Sequence, residues 1–216
     1  MIRSKLAIIS SFVFLGICLY SFFPFPNNPL LRAQATFMNF PIQDQNGYVL
    51  SGIFCSALFI ISFVLLAVGV KKHRIRTVIL VFVLYLFLPN VAITLYQGTV
   101  ASGIFAISYD KDGSCHFESI RENLLNGECT LTLRNHSNHT VSFSMQFLDN
   151  DLKPVYRTES LMNEPKLEKV TLKPNEKRTI HLEKKIDISK ISRTISGGTS
   201  NDIHFKLIAG EFERDF

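Results

Sequence analysis

Two hydrophobic rhythms divide the chain. Up to about residue 100 the apolar residues come in long unbroken runs, and beyond Gly103 they alternate with polar ones at a period of two. Leu6 to Phe23 is the first run, and as a helix it rises roughly 27 Å, just enough to cross a bilayer. Val49 to Val70 is the second, free of charge and roughly 33 Å long as a helix. Thr77 to Tyr96 is the third, interrupted by Pro89-Asn90, where a proline that cannot donate to the carbonyl of Tyr85 predicts a kink. Spans at about 6–23, 49–70 and 77–96 therefore make a membrane domain over 1–102.

The first run competes with a cleaved signal peptide, which shares its charged start. Tyr20-Ser21-Phe22-Phe23-Pro24 offers no small-x-small cleavage site, and Cys18 follows Ile17 where a lipoprotein signal has a small residue. The expectation is a retained helix. The connection 24–48 holds Pro24, Pro26, Pro29 and Pro41, which forbids one continuous helix. Asn28-Pro29 reads as an N-cap with proline at the first helical position. Leu30, Leu31, Phe37 and Met38 would then share one side of a short helix lying on the membrane surface, the alternative being a loop packed on the second domain. Asn46-Gly47 reads as a turn. Gly52 and Ser56 are spaced to let another helix approach, first of all one from the same chain.

In the second half, Val141, Phe143, Met145 and Phe147 alternate with Ser142, Ser144 and Gln146, which puts one face on a core and the other in water. The same alternation returns at Leu131 and Leu133, Val170 and Leu172, Ile180 and Leu182, and Ile203, Phe205 and Leu207. Turn signals separate these runs at 110–113, 135–140, 149–151, 174–176 and Gly197-Gly198. About seven short strands make an antiparallel sandwich over 103–216. One stretch, Glu118 to Leu125, has a short helix as its alternative.

Net charge changes the picture only through its placement. The chain of 216 residues carries a formal +5, which elsewhere would suggest nucleic acid. Residues 110–216 hold 16 basic against 17 acidic side chains, so the excess sits in Arg3, Lys5, Lys71, Lys72, Arg74 and Arg76. These flank the apolar runs, and no nucleic-acid partner is expected. By the positive-inside rule they mark the cytoplasmic side, since the other short loop has only Arg32. Three crossings from a cytoplasmic N-terminus leave 103–216 outside a cell membrane. Tyr20, Tyr48 and Tyr96 fall at the outer ends of the three runs, where aromatic rings prefer the interface.

Outside the cytoplasm a disulfide can form, and Cys115 and Cys129 are the two cysteines placed there. Cys18 and Cys55 fall inside spans as apolar fillers. Asn135-His136-Ser137 and Asn138-His139-Thr140 are N-glycosylation triplets, so Asn135 or Asn138 is a possible sugar acceptor where the organism glycosylates, and otherwise part of a turn. His136 and His139, with His116, lack the carboxylate or cysteine set that would complete a metal site. Asn90 puts an amide among apolar residues, which more often satisfies backbone or a neighbouring helix than lines a pathway. No Gly-x-Ser-x-Gly elbow, phosphate-cradling Gly loop or His-Glu-x-x-His is present. No cofactor and no enzymatic activity are expected.

Cys129 to Asn135, a polar turn, and Val141 to Asp149 resemble the paired strands that open bacterial immunoglobulin-like domains of the CARDB type. Val170 to Glu176 running into Thr179 to Leu182 is similar to their unit of strand, Pro-Gly-Glu turn and strand, with Asn175 where the glycine usually stands. The resemblance covers about half of the outer domain. It implies an immunoglobulin-like fold and a binding or spacing role. The sequence thus points to a non-enzymatic membrane protein displaying a β-sandwich to another membrane or surface protein. A transporter or channel subunit using Asn90 and the Pro89 kink is the second reading. A sensor would need a cytoplasmic signalling domain, which the short inward-facing segments do not supply.

Overall fold

The computed structural model describes residues 3–44, 46–121, 123–149, 159–189, 197–201 and 203–216. The chain forms two compact units, Met1–Thr94 and Leu95–Phe216.

In the first unit, α1 (Lys5–Ser21) is capped by Ser4, whose hydroxyl accepts the Ala7 N–H at 3.3 Å. Its buried residues Ala7, Ser11, Leu15 and Cys18 recur at helical spacing. They face the stripe Cys55, Phe59, Ser62, Leu66 and Gly69 of α2 (Leu50–Gly69). The two helices run in opposite directions, because the N–H groups of Arg3 and Ser4, at the start of α1, both donate to the carbonyl of Gly69, at the end of α2. Gly69 has no Cβ to push Ile8 away. The buried Ser62 hydroxyl donates to the Leu58 carbonyl of its own helix, so its polarity costs little in an apolar setting.

Residues 24–48 differ from the surface helix that the sequence suggested. Asn28 does cap a helical turn, accepting the Leu30 N–H at 3.0 Å, but that turn is a single 3-10 turn, Pro29–Arg32. Phe37 then belongs to, and Met38 turns within, a three-stranded antiparallel sheet of β1 (Ala35–Phe37), β2 (Phe40–Asp44) and β3 (Gly47–Tyr48), Met38 lying in the β1–β2 turn with φ of 52°. The reason is aromatic packing: Phe40 is 1% exposed between Phe22 and Phe59, with ring centroids at 5.7 and 5.6 Å. Gly52 serves this sheet and not a helix, since a Cβ there would collide with the Pro41 backbone carbonyl.

The helix α3 (Arg74–Thr99) continues through Pro89. Both α2 and α3 are long and apolar enough to cross a membrane, and α1 is a shorter apolar helix of 17 residues. Phe63 meets Phe59 of α2 and Phe82 of α3 edge-on, with Phe63 and Phe82 at 5.9 Å. Among the described residues, α3 buries little else than Tyr85 and Pro89 in this unit.

The second unit starts inside α3, before the change of composition at Ser102. A 3-10 turn, Gly103–Ala106, leads into β4 (Ile107–Tyr109), β5 (Ser114–Arg121), β6 (Leu124–Asn135) and β7 (Val141–Leu148). Then follow β8 (Glu168–Leu172), β9 (Lys177–Asp187), β10 (Gly197–Ser200), β11 (His204–Ala209) and β12 (Phe212–Asp215). All described pairings are antiparallel. One sheet runs β10-β5-β6, with β9 on the far side of β6 and β4 pairing the end of β6 beyond β5. The other is β12-β11-β7-β8.

The alternating residues explain both sheets. Leu131, Leu133, Phe143, Met145, Phe147, Leu172, Phe205 and Leu207 all lie in one buried cluster to which the two sheets contribute. Glu118 to Leu125 is no helix: it is the β5–β6 hairpin, pairing Glu118 with Asn126 and Ser119 with Leu125. Strand geometry there buries Phe117 and Leu125 while Glu118 faces water, and a helical turn would separate them. Gly197-Gly198 is likewise a strand start and no turn, since Gly197 pairs with Glu118 at a φ of 118°. The turn expected at 149–151 lies outside the described residues apart from Asp149, whose carboxylate accepts the Ser160 N–H and hydroxyl.

Candidate functional site

The six basic residues that the sequence distributes over two patches belong to one end of the helical unit. The hydrogen bond from Arg3 N–H to the Gly69 carbonyl, 2.8 Å, holds the start of α1 beside the α2–α3 connection. That connection reverses the chain at His73, with φ of 59°. Lys71, Lys72, Arg74 and Arg76 are all exposed. The only acidic residue of 1–94 is Asp44, and its carboxylate accepts the Asn46 N–H in the β2–β3 turn.

Pro89 is buried, whereas Asn90 is exposed and, among the described residues, nothing bonds its side-chain amide. Its carbonyl accepts the Thr94 hydroxyl at 2.8 Å, a bond that takes up backbone polarity one turn on from the proline.

Cys115 and Cys129 lie opposite each other on β5 and β6 and are joined, with Sγ atoms 1.96 Å and Cα atoms 4.1 Å apart. Both are fully buried. Cys18 and Cys55 are free and buried, the Cys18 thiol donating to the Cys55 carbonyl at 3.5 Å.

The two glycosylation triplets part company. Asn135 is fully buried at the end of β6, and its amide is used on both sides. Its Nδ2 donates to the carbonyls of His139 (2.8 Å) and Lys173 (2.9 Å), and its Oδ1 accepts the Ser137 N–H (2.9 Å) and hydroxyl (2.8 Å). In the folded unit it is a strut and offers no nitrogen to a sugar. Asn138 is exposed, with its Oδ1 accepting from Asn175 Nδ2 at 3.0 Å. Asn175 holds φ of 56°, the left-handed conformation for which a glycine would otherwise be used.

Three histidines are dispersed onto hydroxyls. His116 Nδ1 pairs with Thr199 at 2.9 Å, His181 Nδ1 with Thr130 at 3.1 Å, and His136 Nε2 with Ser108 at 2.9 Å. No group of three or more His, Cys, Asp or Glu converges among the described residues. Burial, helped by Arg134 and Arg214, pushes His136 below the usual imidazole range, against a smaller pull from Asp110.

Two residues that sequence reasoning passed over hold the start of the second unit. Arg214 is 5% exposed on β12, and its Nη1 donates to the carbonyls of Ile104 (3.0 Å), Phe105 (2.9 Å) and Ile107. Its guanidinium sits 4.3 Å from the Phe216 ring centroid. Burial lowers its pKa to about 10, which still leaves it cationic at neutral pH. Gln97 Nε2 donates to the carbonyls of Phe105 (3.3 Å) and Ile107 (3.0 Å). The turn 103–107 is thus clamped from the end of α3 and from the C-terminal strand. In the sequence Arg214 is one more charge among Glu213 and Asp215, so no local signal marks it.

Comparison with protein-family models, with curated proteins and with solved structures finds no match to this chain.

Proposed function

We propose that the chain is a multi-pass membrane protein that crosses three times, through α1, α2 and α3, and holds an immunoglobulin-like β-sandwich on the extracytoplasmic side. There it binds or organises another membrane or surface protein and catalyses nothing. The observation that carries this reading is the surface of α3. Ile79, Leu80, Leu84, Phe87, Val91 and Leu95 are each more than half exposed, a cost that water would not sustain and a bilayer removes. Among them stands the unbonded amide of Asn90, which gains most from a polar group on a neighbouring helix.

The orientation is supported by the gathering of Arg3 and Lys5 with Lys71, Lys72, Arg74 and Arg76 at one end of the unit. Exposed Tyr20, Tyr48 and Tyr96 suit an aromatic belt at the other membrane face. The two antiparallel sheets and their common core support the sandwich, and the left-handed Asn175 fits its turn. A photo-crosslinking residue at position 90 and another at position 132, on the polar face of β6, should each yield one discrete heteromeric adduct in native membranes. Recovery of the chain alone from both positions overturns the reading. The exposed Asn90 also favours the second reading, a transporter or channel subunit; transport unchanged by Asn90→Leu removes it.

A further inference from the structure

Between α2 and α3 lies a groove of about 460 Å³, within the range of small-molecule sites, and its walls are hydrocarbon. Phe59, Phe63 and Val64 form one wall, Val78, Ile79 and Phe82 the other. The rings of Phe63 and Phe82 meet edge-on between the two helices, and among the described residues no side chain fills the space beside them. The groove reaches Ala67, in the last turn of α2, and Val78, in the second turn of α3, and both lead directly into the basic connection.

We propose that this hairpin binds an anionic glycerophospholipid, with an acyl chain in the groove and the phosphate among Lys71, Lys72, Arg74 and Arg76. The proposal rests on the membrane-spanning reading of α2 and α3. Charge complementarity selects the occupant. The four side chains are exposed at the α2–α3 connection, between the ends of the two helices that wall the groove, Arg3 and Lys5 are brought to the same end, and the unit's only carboxylate is engaged in the β2–β3 turn. A second protein helix would fill the groove without using this charge. A zwitterionic lipid would cancel part of it with its own cation. A phosphate carrying net negative charge above an aliphatic chain matches both halves of the site.

The test uses the purified full chain in mild detergent, titrated with phosphatidylglycerol and, separately, with phosphatidylcholine of the same acyl chains, and read by native mass spectrometry. One phosphatidylglycerol should be retained per chain, with phosphatidylcholine held about tenfold more weakly. Replacing Lys71, Lys72, Arg74 and Arg76 together by Gln should remove that preference. Ala67→Phe, which fills the groove, should weaken both lipids. Folding of each variant is checked by an intact Cys115–Cys129 bridge. Because the charge variant alters a topology signal, wild-type chain is also titrated as salt shortens the Debye length from about 10 Å to about 3 Å, which should erase the preference without mutation. Equal retention of the two lipids, or a preference that survives the Gln variant or the salt, overturns the proposal. Carbonate extraction of native membranes tests the membrane reading separately: a chain that resists extraction but shows no lipid preference refutes this site alone.

Discussion

The amide of Asn135 ties two loops together: the β6–β7 loop, through Ser137 and the carbonyl of His139, and the β8–β9 loop, through the carbonyl of Lys173 just past β8. Aspartate has nearly the same shape but places an acceptor where two carbonyls already point, and buries a charge. Asn135→Asp should therefore lower stability by about 3 kcal/mol in chemical denaturation of the detergent-solubilised chain. Asn138→Asp, at the surface, should change it by no more than about 0.5 kcal/mol. The glycosylation triplet showed only local residue order, and burial by β8 cannot be seen in three letters.

The next residue, His136, gives a pH signature. Its folded pKa is lowered, so near pH 6 the unfolded chain binds more protons than the folded one, and stability rises with pH. The contribution is complete above the ordinary imidazole value of about 6.5 and is lost as pH falls through it toward the folded value. Unfolding midpoints between about pH 7.5 and 5.5 should fall more for wild type than for His136→Gln, which no longer titrates there. Equal slopes would assign the pH dependence to other groups.

Among the elements, the three strands of 35–48 were the hardest to foresee. The proline count correctly forbade a continuous helix, and Asn28 correctly started a helical turn. What ended that turn was Phe40, whose burial against Phe22 and Phe59 requires an extended chain to deliver it. Gly52 makes the approach possible. Gly52→Ala should cost about 2 kcal/mol in thermal unfolding, because backbone at Pro41 cannot swing aside as a side chain would. Gly16→Ala, with nothing within 4 Å of the added carbon, is the control and should be neutral or slightly stabilising.

The strands of the second unit were more legible, since an alternation such as Val141 to Phe147 admits few other structures with one dry face. Glu118 to Leu125 was ambiguous because its apolar residues are few, and pairing across the hairpin decided it. The bridge inside that hairpin joins residues at a sequence separation of 14. Replacing Cys115 and Cys129 together by Ala should lower stability by about 3 kcal/mol, and reducing agent should bring wild type to the variant's midpoint.

At the level of the whole molecule, the proposed orientation rests on the basic residues. A reporter active only outside the cytoplasm, fused after Phe216, should be active, and one active only in the cytoplasm should be silent. Replacing Lys71, Lys72, Arg74 and Arg76 by Gln should shift part of the population to the opposite orientation. A cytoplasmic C-terminus in the wild type would remove the extracytoplasmic role.

Three apolar runs, an alternating second half and the segregation of positive charge could be read from the sequence because each is a local property: a period, a length or a sign. Tertiary structure decided what depends on distant partners. It brought Arg3 beside Gly69, closed Asn135 off from solvent, spent Gly52 on a strand and opened a groove where two aromatic rings meet between α2 and α3. It also placed the start of the second unit within α3, because Gln97 and Arg214 converge on the carbonyls of 104–107 from opposite ends of that unit's sequence. Hydrogen-bond satisfaction of a buried backbone is a property of the packed chain: Gln97 lies 8 and 10 residues from the carbonyls it meets, but Arg214 answers those of Ile104 and Ile107 across separations of 110 and 107 residues, which no local window spans.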